Sequence, residues 1–282
     1  MKFRKYAPAA VAILGAIGSL LRYLSFTFAY EPEVELFADN IYSLLLGIIS
    51  FGVVATLVAY YFIGSAAQWD DIEIKTRGGT TLMGAAAVFS IGGGVFFTII
   101  SLMGPSMLGI INGVLATVTG LAMLGLAKAL PGRLNEISQI LTIIPVFWGG
   151  FWLLMEYRME SANPEIELFI YRIMAIVFVI LLFYLTAFCL GRNGRVNRMF
   201  AAALGCAYFT MIVVFGDMLQ FTVELYFAGN FVRIGGYAYL LAMLFLSLGM
   251  MMMLSLAKDR APSDTDGETE ADDDGGHAED LL

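Results

Sequence analysis

The sequence predicts an all-α integral membrane protein with eight transmembrane helices and both termini in the cytoplasm. Three observations predict this class: the composition, the length of the apolar segments and the placement of the basic residues. Of the 282 residues, 59% are hydrophobic and 14% are charged, whereas soluble domains carry about 25% charged residues. A helix that crosses a bilayer needs about 20 mostly apolar residues. Eight such segments fill most of the chain.

The apolar segments are apolar all round and too long for the strands of an outer-membrane barrel, which alternate in hydrophobicity over about ten residues. In lipid the backbone must satisfy its own hydrogen bonds, so we expect each segment to be a helix. The predicted helices are Tyr6–Phe28, Asn40–Gly64, Thr80–Leu102, Met107–Ala129, Ser138–Met155, Leu168–Gly191, Arg198–Phe215 and Phe231–Ala257.

The basic residues predict the orientation of these helices. Twelve of the sixteen Lys and Arg residues lie before the first helix, in every second connection, or after the last helix. They are Lys2, Arg4, Lys5, Lys75, Arg77, Lys128, Arg133, Arg192, Arg195, Arg198, Lys258 and Arg260. The other connections are acidic and hold only one Arg, Arg158. Because basic loops remain in the cytoplasm, both termini are predicted to be cytoplasmic.

Charge also divides the chain into a transmembrane domain, residues 1–260, and a tail, Ala261–Leu282. The tail contains nine of the 24 acidic residues and no Lys or Arg, so it accounts for the net charge of −8. It has too few bulky apolar residues to fold by itself, and we expect a disordered acidic segment in the cytoplasm. Such a tail either binds a cytoplasmic partner or is only a solvated chain end.

A short motif is repeated within the transmembrane domain. The sequence PEVELF at 32–37 returns as PEIELF at 164–169, each time just before a helix that enters from the outside. One interpretation is a pair of parallel repeats, 1–130 and 131–260, an arrangement known in transporters. The other is convergence, because Pro and acidic residues suit the first turn of any helix.

A cluster of charged residues is predicted near the outer side of the membrane. Arg22, Arg172 and Arg233 lie at or inside the outer halves of helices, and Arg22 is the deepest. A charge at the bilayer centre costs roughly 2.5–3.5 kcal/mol, so each Arg needs a partner, water or a route to the interface. The candidate partners at the same level are Glu156, Asp217 and Glu224. The cluster either holds an anionic ligand or consists of structural ion pairs.

Small residues and a proline mark positions of close packing or of a hinge. Gly92, Gly93 and Gly94 lie in the middle of the third helix, and Gly109 and Gly113 form a small-xxx-small pair in the fourth. Small residues let membrane helices approach closely, and we expect a tight hairpin. The alternative is an unwound element beside a transport path. Pro145 predicts a kink in the fifth helix. In the same helix, Trp152 and Tyr157 suit the aromatic belt at the outer interface, and the alternative is a ring-lined pocket.

Few residues suit catalysis or metal binding. Cys189 and Cys206 lie inside apolar segments, and His277, the only histidine, lies in the tail. The sequence has no HExxH, GxSxG or Walker motif. We therefore predict no metal, no cofactor and no nucleic-acid partner, and we treat an intramembrane enzyme as the least favoured class.

The stretch from Asn163 to Arg198, NPEIELFIYRIMAIVFVILLFYLTAFCLGRNGRVNR, together with Glu31-Pro32-Glu33, resembles a group of polytopic membrane proteins from Firmicutes. The resemblance implies a location in a bacterial inner membrane and implies no activity. The residues themselves favour a transporter or channel-like carrier for a small, anionic solute. A membrane scaffold or sensor without a transport path is the alternative.

Overall fold

The computed structural model describes residues 2–31, 36–37, 40–63, 72–73, 77–104, 106–129, 136–160, 166–190, 194–217 and 231–259. These residues form eight α-helices: α1 Lys2–Ala29, α2 Ile41–Ile63, α3 Arg77–Met103, α4 Met107–Ala129, α5 Glu136–Glu160, α6 Ile166–Leu190, α7 Val196–Met211 and α8 Phe231–Ser255. A π-helix, Ile212–Asp217, continues α7 without a break. The strands are β1 Tyr30–Glu31, β2 Leu36–Phe37, β3 Ile72–Glu73 and β4 Lys258–Asp259.

The eight predicted helices are confirmed, and each is long and apolar enough to cross a membrane. The chain is therefore a multi-pass helical membrane protein. The predicted boundaries differ most for the fifth helix, because α5 continues through the charged residues Glu156, Arg158 and Glu160 beyond Met155. Charged residues in the last turn of a membrane helix can reach the interface, so they need not end the helix.

Helix α7 occupies the centre of the bundle. It packs against α1, α2, α6 and α8, and almost all of its side chains are buried. Small residues make this possible: a Cβ atom at Gly205 would overlap with the ring of Phe178 from α6. By contrast, α2 exposes a broad apolar face that includes Leu44, Ile48 and Phe51, as expected for a helix that contacts lipid.

Helix α3 packs closely against both α4 and α8. At its crossing with α4, a Cβ atom on Gly94 would lie 2.7 Å from the carbonyl oxygen of Gly113. A Cβ atom on Gly113 would lie equally close to the carbonyl oxygen of Gly94. Ser90 also donates a hydrogen bond to the carbonyl of Ala116 in α4, at 3.0 Å. At the crossing with α8, a Cβ atom on Gly79 would lie 2.8 Å from the carbonyl oxygen of Gly249.

Two short strand pairs join the helix ends. β1 pairs antiparallel with β2 between α1 and α2, and β3 pairs antiparallel with β4. The β3–β4 pair brings the connection between α2 and α3 to the residues that follow α8. These two regions therefore lie at the same end of the bundle, which is consistent with an even number of crossings between them. The acidic tail, 261–282, lies outside the described residues.

Candidate functional site

The candidate site is built around a buried ion pair between Arg22 of α1 and Asp217. The Nε atom of Arg22 donates to Oδ1 of Asp217 at 3.0 Å. Both residues are 1% exposed. Aromatic rings enclose the guanidinium, whose central carbon lies 4.3 Å from the ring centroid of Phe26 and 5.2 Å from that of Tyr171. Arg22 is therefore held by an acid and by π-faces, which favour a cation.

The π-helix brings Asp217 to Arg22. Asp217 is its last residue, and Gly216 packs directly on α1, where a Cβ atom would lie 2.8 Å from both Cβ and Cγ of Arg22. Ser19, about one turn before Arg22, has its hydroxyl oxygen 2.9 Å from the carbonyl of Met211, the residue that precedes the π-helix. Single π-helical turns inside α-helices are frequent at functional sites.

A second ion pair joins α5 and α6. Nη1 of Arg172 donates to Oε1 of Glu156 at 2.5 Å, and the guanidinium lies 5.7 Å from the ring centroid of Tyr237 in α8. Arg172 also interacts electrostatically with Asp217, and its neighbour Tyr171 contacts Arg22. The two ion pairs thus form one cluster, with two positive and two negative charges among the described residues.

The structure brings together four of the six charged residues that the sequence placed in this cluster. Arg22, Asp217, Arg172 and Glu156 are in contact as two pairs. The side chain of Arg233 and all of Glu224 lie outside the described residues.

The predicted packing or hinge residues lie away from the ion pairs, on α3, α4 and α5. Gly93 faces α8, with Ala238 and Tyr239 as its neighbours, and Gly94 and Gly113 face each other. A Cβ on Gly109 would overlap with Ser101, whereas Gly92 has no atom within 4 Å of a Cβ position. Pro145 is a buried residue inside α5.

Trp148, Trp152 and Tyr239 form an aromatic cluster, which agrees with the less favoured of the two sequence interpretations of these Trp residues, although the part of Tyr239 was not predicted. The interpretation of Trp152 as an interface residue is wrong, because its side chain is 2% exposed and packs on Trp148; Tyr157 is 61% exposed. Spacing could have revealed the difference. Trp148, Trp152 and Glu156 follow each other at intervals of four residues, which places them on one face of the helix.

Neither a metal site nor a similarity to known proteins assigns a function to the described residues. Among the described residues, no group of three His, Cys, Asp or Glu side chains is placed to hold a metal ion. No family model, no curated protein and no solved structure matches the chain. The class of the protein therefore follows from its fold and its buried charges: it is a multi-pass helical membrane protein with an intramembrane ion-pair cluster.

Proposed function

We propose that the protein is a carrier for a small anionic solute in a bacterial inner membrane. The observation that supports this most is the Arg22–Asp217 pair, which is almost completely buried within an apolar bundle. Charged residues inside membrane proteins are costly, and they commonly mark substrate or ion pathways. An apolar pair would fill the same space at a lower cost, so a retained Arg suggests a task for its charge.

The proposed task is exchange of the partner of Arg22. A guanidinium presents five N–H donors in a planar fork and binds carboxylate or phosphate groups in two-pronged geometry. Asp217 uses Nε of this fork. A solute anion that enters from the outer side would compete with Asp217 for the same guanidinium, and Asp217 would return to Arg22 when the solute leaves.

The elements that carry the pair are suited to such an exchange. Asp217 lies at the end of a π-helix, a rare element that is frequent at functional sites. Arg172 and Glu156 form the neighbouring pair, so a displaced Asp217 carboxylate remains within the field of a second arginine. The cluster can therefore rearrange without leaving an isolated charge in the membrane.

A membrane scaffold or sensor is the second candidate. The observation that favours it is that Arg22 and Arg172 each contact an acid, as expected of ion pairs that only hold helices together. In this case the acidic tail, 261–282, would bind a cytoplasmic partner.

The remaining proposals concern topology. We propose that both termini are cytoplasmic, because twelve of sixteen basic residues then lie on that side. The two PE-x-E-LF motifs support a division into parallel repeats, 1–130 and 131–260. The orientation is tested by placing single cysteines in the connections between helices and measuring from which side of an intact membrane each one is labelled.

Flux into proteoliposomes tests the carrier. The protein is reconstituted and supplied with radiolabelled phosphate, sulfate, lactate or glutamate, and Arg22→Gln is compared with the parent chain. Gly52→Ala serves as a control, because a Cβ at Gly52 meets no atom within 4 Å. We expect Arg22→Gln to lose at least tenfold in the rate for the transported anion and Gly52→Ala to retain it. Full flux by a folded Arg22→Gln protein contradicts the proposed role of Arg22, and absence of flux with every anion favours the scaffold.

A further inference from the structure

The aromatic cluster is a separate feature of the membrane interior, formed where α5 and α8 meet. The rings of Trp148 and Trp152 are stacked, with centroids 5.1 Å apart and planes 18° from parallel. The ring of Tyr239 stands nearly perpendicular to both, at 5.3 and 5.5 Å. Phe97 of α3 completes the cluster, 5.9 Å from Tyr239, so the rings pack against one another in an apolar, flat-sided group.

Two hydrogen-bond donors in this cluster have no acceptor. The indole Nε1 of Trp148 and the hydroxyl of Tyr239 are buried, and neither has a hydrogen-bond partner among the described residues. Both residues are 0% exposed. Buried Trp and Tyr usually find a partner for their polar atom, and a buried polar group without one costs about 1–3 kcal/mol. Two such donors, on rings in contact with each other, indicate that an acceptor other than the described residues belongs here.

The chemistry of the cluster defines the class of ligand. Trp Nε1–H can only donate, and Tyr O–H can donate, so the ligand must bring acceptor oxygens. Aromatic faces favour a planar partner, which they bind in offset-stacked or edge-to-face geometry. The residues that form these contacts carry no charge, which favours a neutral ligand; they are Gly93, Phe97, Trp148, Trp152 and Tyr239. We infer that this cluster binds a planar, membrane-soluble molecule with carbonyl oxygens, which accept hydrogen bonds from Trp148 and Tyr239.

This site adjoins the ion-pair cluster. Trp152 lies one turn before Glu156 on the same face of α5, and Trp148 lies eight residues before Glu156, a separation of roughly 12 Å at 1.5 Å per residue. The inference does not depend on transport of an anion, and it holds equally for a carrier and for a sensor. The whole cluster lies within helices that are long and apolar enough to cross a membrane, so a membrane-soluble ligand would reach it from the bilayer.

The cluster is closed in this structure, so binding must separate its rings. Gly93 packs closely on Tyr239: a Cβ there would lie 3.2 Å from the ring atoms Cδ1 and Cε1, closer than ordinary van der Waals contact. On separation, both donors would gain an acceptor, which offsets part of the cost of opening the stack.

Titration calorimetry with a matched pair of probes tests the inference. The full chain in lipid nanodiscs is titrated with 2,3-dimethyl-1,4-naphthoquinone and with 2,3-dimethylnaphthalene, and the heats of empty nanodiscs are subtracted. The two probes share shape and apolar surface, but only the first has carbonyl oxygens. We expect saturable binding of one quinone per chain, at least tenfold tighter than any binding of the naphthalene.

Conservative variants assign the binding to the two donors. Tyr239→Phe and Trp148→Phe keep an aromatic ring and remove one donor each, and we expect each to weaken quinone binding about tenfold. Tyr208→Phe removes a buried hydroxyl elsewhere, one that is bonded to Ser50 at 3.0 Å, and should leave the affinity unchanged. The inference is overturned if the quinone binds no tighter than the naphthalene, or if Tyr239→Phe and Trp148→Phe bind it as tightly as the parent chain.

Discussion

Removal of one partner of the Arg22–Asp217 pair should destabilise the protein far more than removal of both. At 3.0 Å and an effective dielectric constant of 20, two unit charges attract by about 5 kcal/mol. Loss of either partner from a buried pair typically costs about 3–5 kcal/mol, because the other charge remains buried. We therefore expect Arg22→Met and Asp217→Asn each to lower the free energy of unfolding by that amount.

The double variant has no buried charge at this position, so it should cost no more than one single variant. The coupling energy between the two sites is then at least about 3 kcal/mol. Steric trapping in bicelles measures the free energy of unfolding of a membrane protein without denaturant. Arg195→Met, at an exposed residue, serves as a control and should change it by less than about 0.5 kcal/mol. If the two single losses add up in the double variant, the residues are independent and the reasoning is refuted.

Three further outcomes are expected. Gly94→Ala should lower the free energy of unfolding by about 1–3 kcal/mol through overpacking, since its Cβ would lie 2.7 Å from a carbonyl oxygen of α4. Gly52→Ala, with no atom within 4 Å of its Cβ, should not lower it. Equal losses in the two variants would contradict the close crossing of α3 and α4. Without ligand, Tyr208→Phe should lower the free energy of unfolding by about 0.5–1.5 kcal/mol, because it removes a hydrogen bond. Tyr239→Phe should leave this free energy unchanged or raise it. A lower value for Tyr239→Phe would show that the Tyr239 hydroxyl has a hydrogen-bond partner. Cysteines at paired positions of β3 and β4 should form a disulfide under mild oxidation, and failure to form it with both sites labelled would contradict the pairing of these strands.

The architecture was largely predictable because the bilayer imposes a strong constraint. An apolar run of about 20 residues has few alternatives to a spanning helix, so the number of helices and most of their ends follow from hydropathy alone. The same constraint made the depth of each charge predictable. Arg22 and Asp217 could be placed at the same level of the membrane because both are counted from helix ends.

Which side each helix faces could not be predicted in the same way. The segment up to Phe215 reads as one continuous helix, and nothing in its apolar residues indicates the change to a π-helix that directs Asp217 towards Arg22. The Trp residues illustrate a related difficulty. Amphipathic aromatic rings are common at the interface, so Trp152 looked like an interface residue, although its neighbours Trp148 and Glu156 at intervals of four share its buried face.

The distance along the chain between Arg22 and Asp217 has a consequence for biosynthesis. The two residues are 195 positions apart, and ribosomes add about 5–20 residues per second. During insertion, α1 therefore waits for roughly 10–40 s before its acidic partner has been made. Throughout this period the nascent helix carries an arginine within its apolar segment without Asp217, so the translocon, a lipid headgroup or an insertion factor must accommodate that charge until α7 arrives and completes the core.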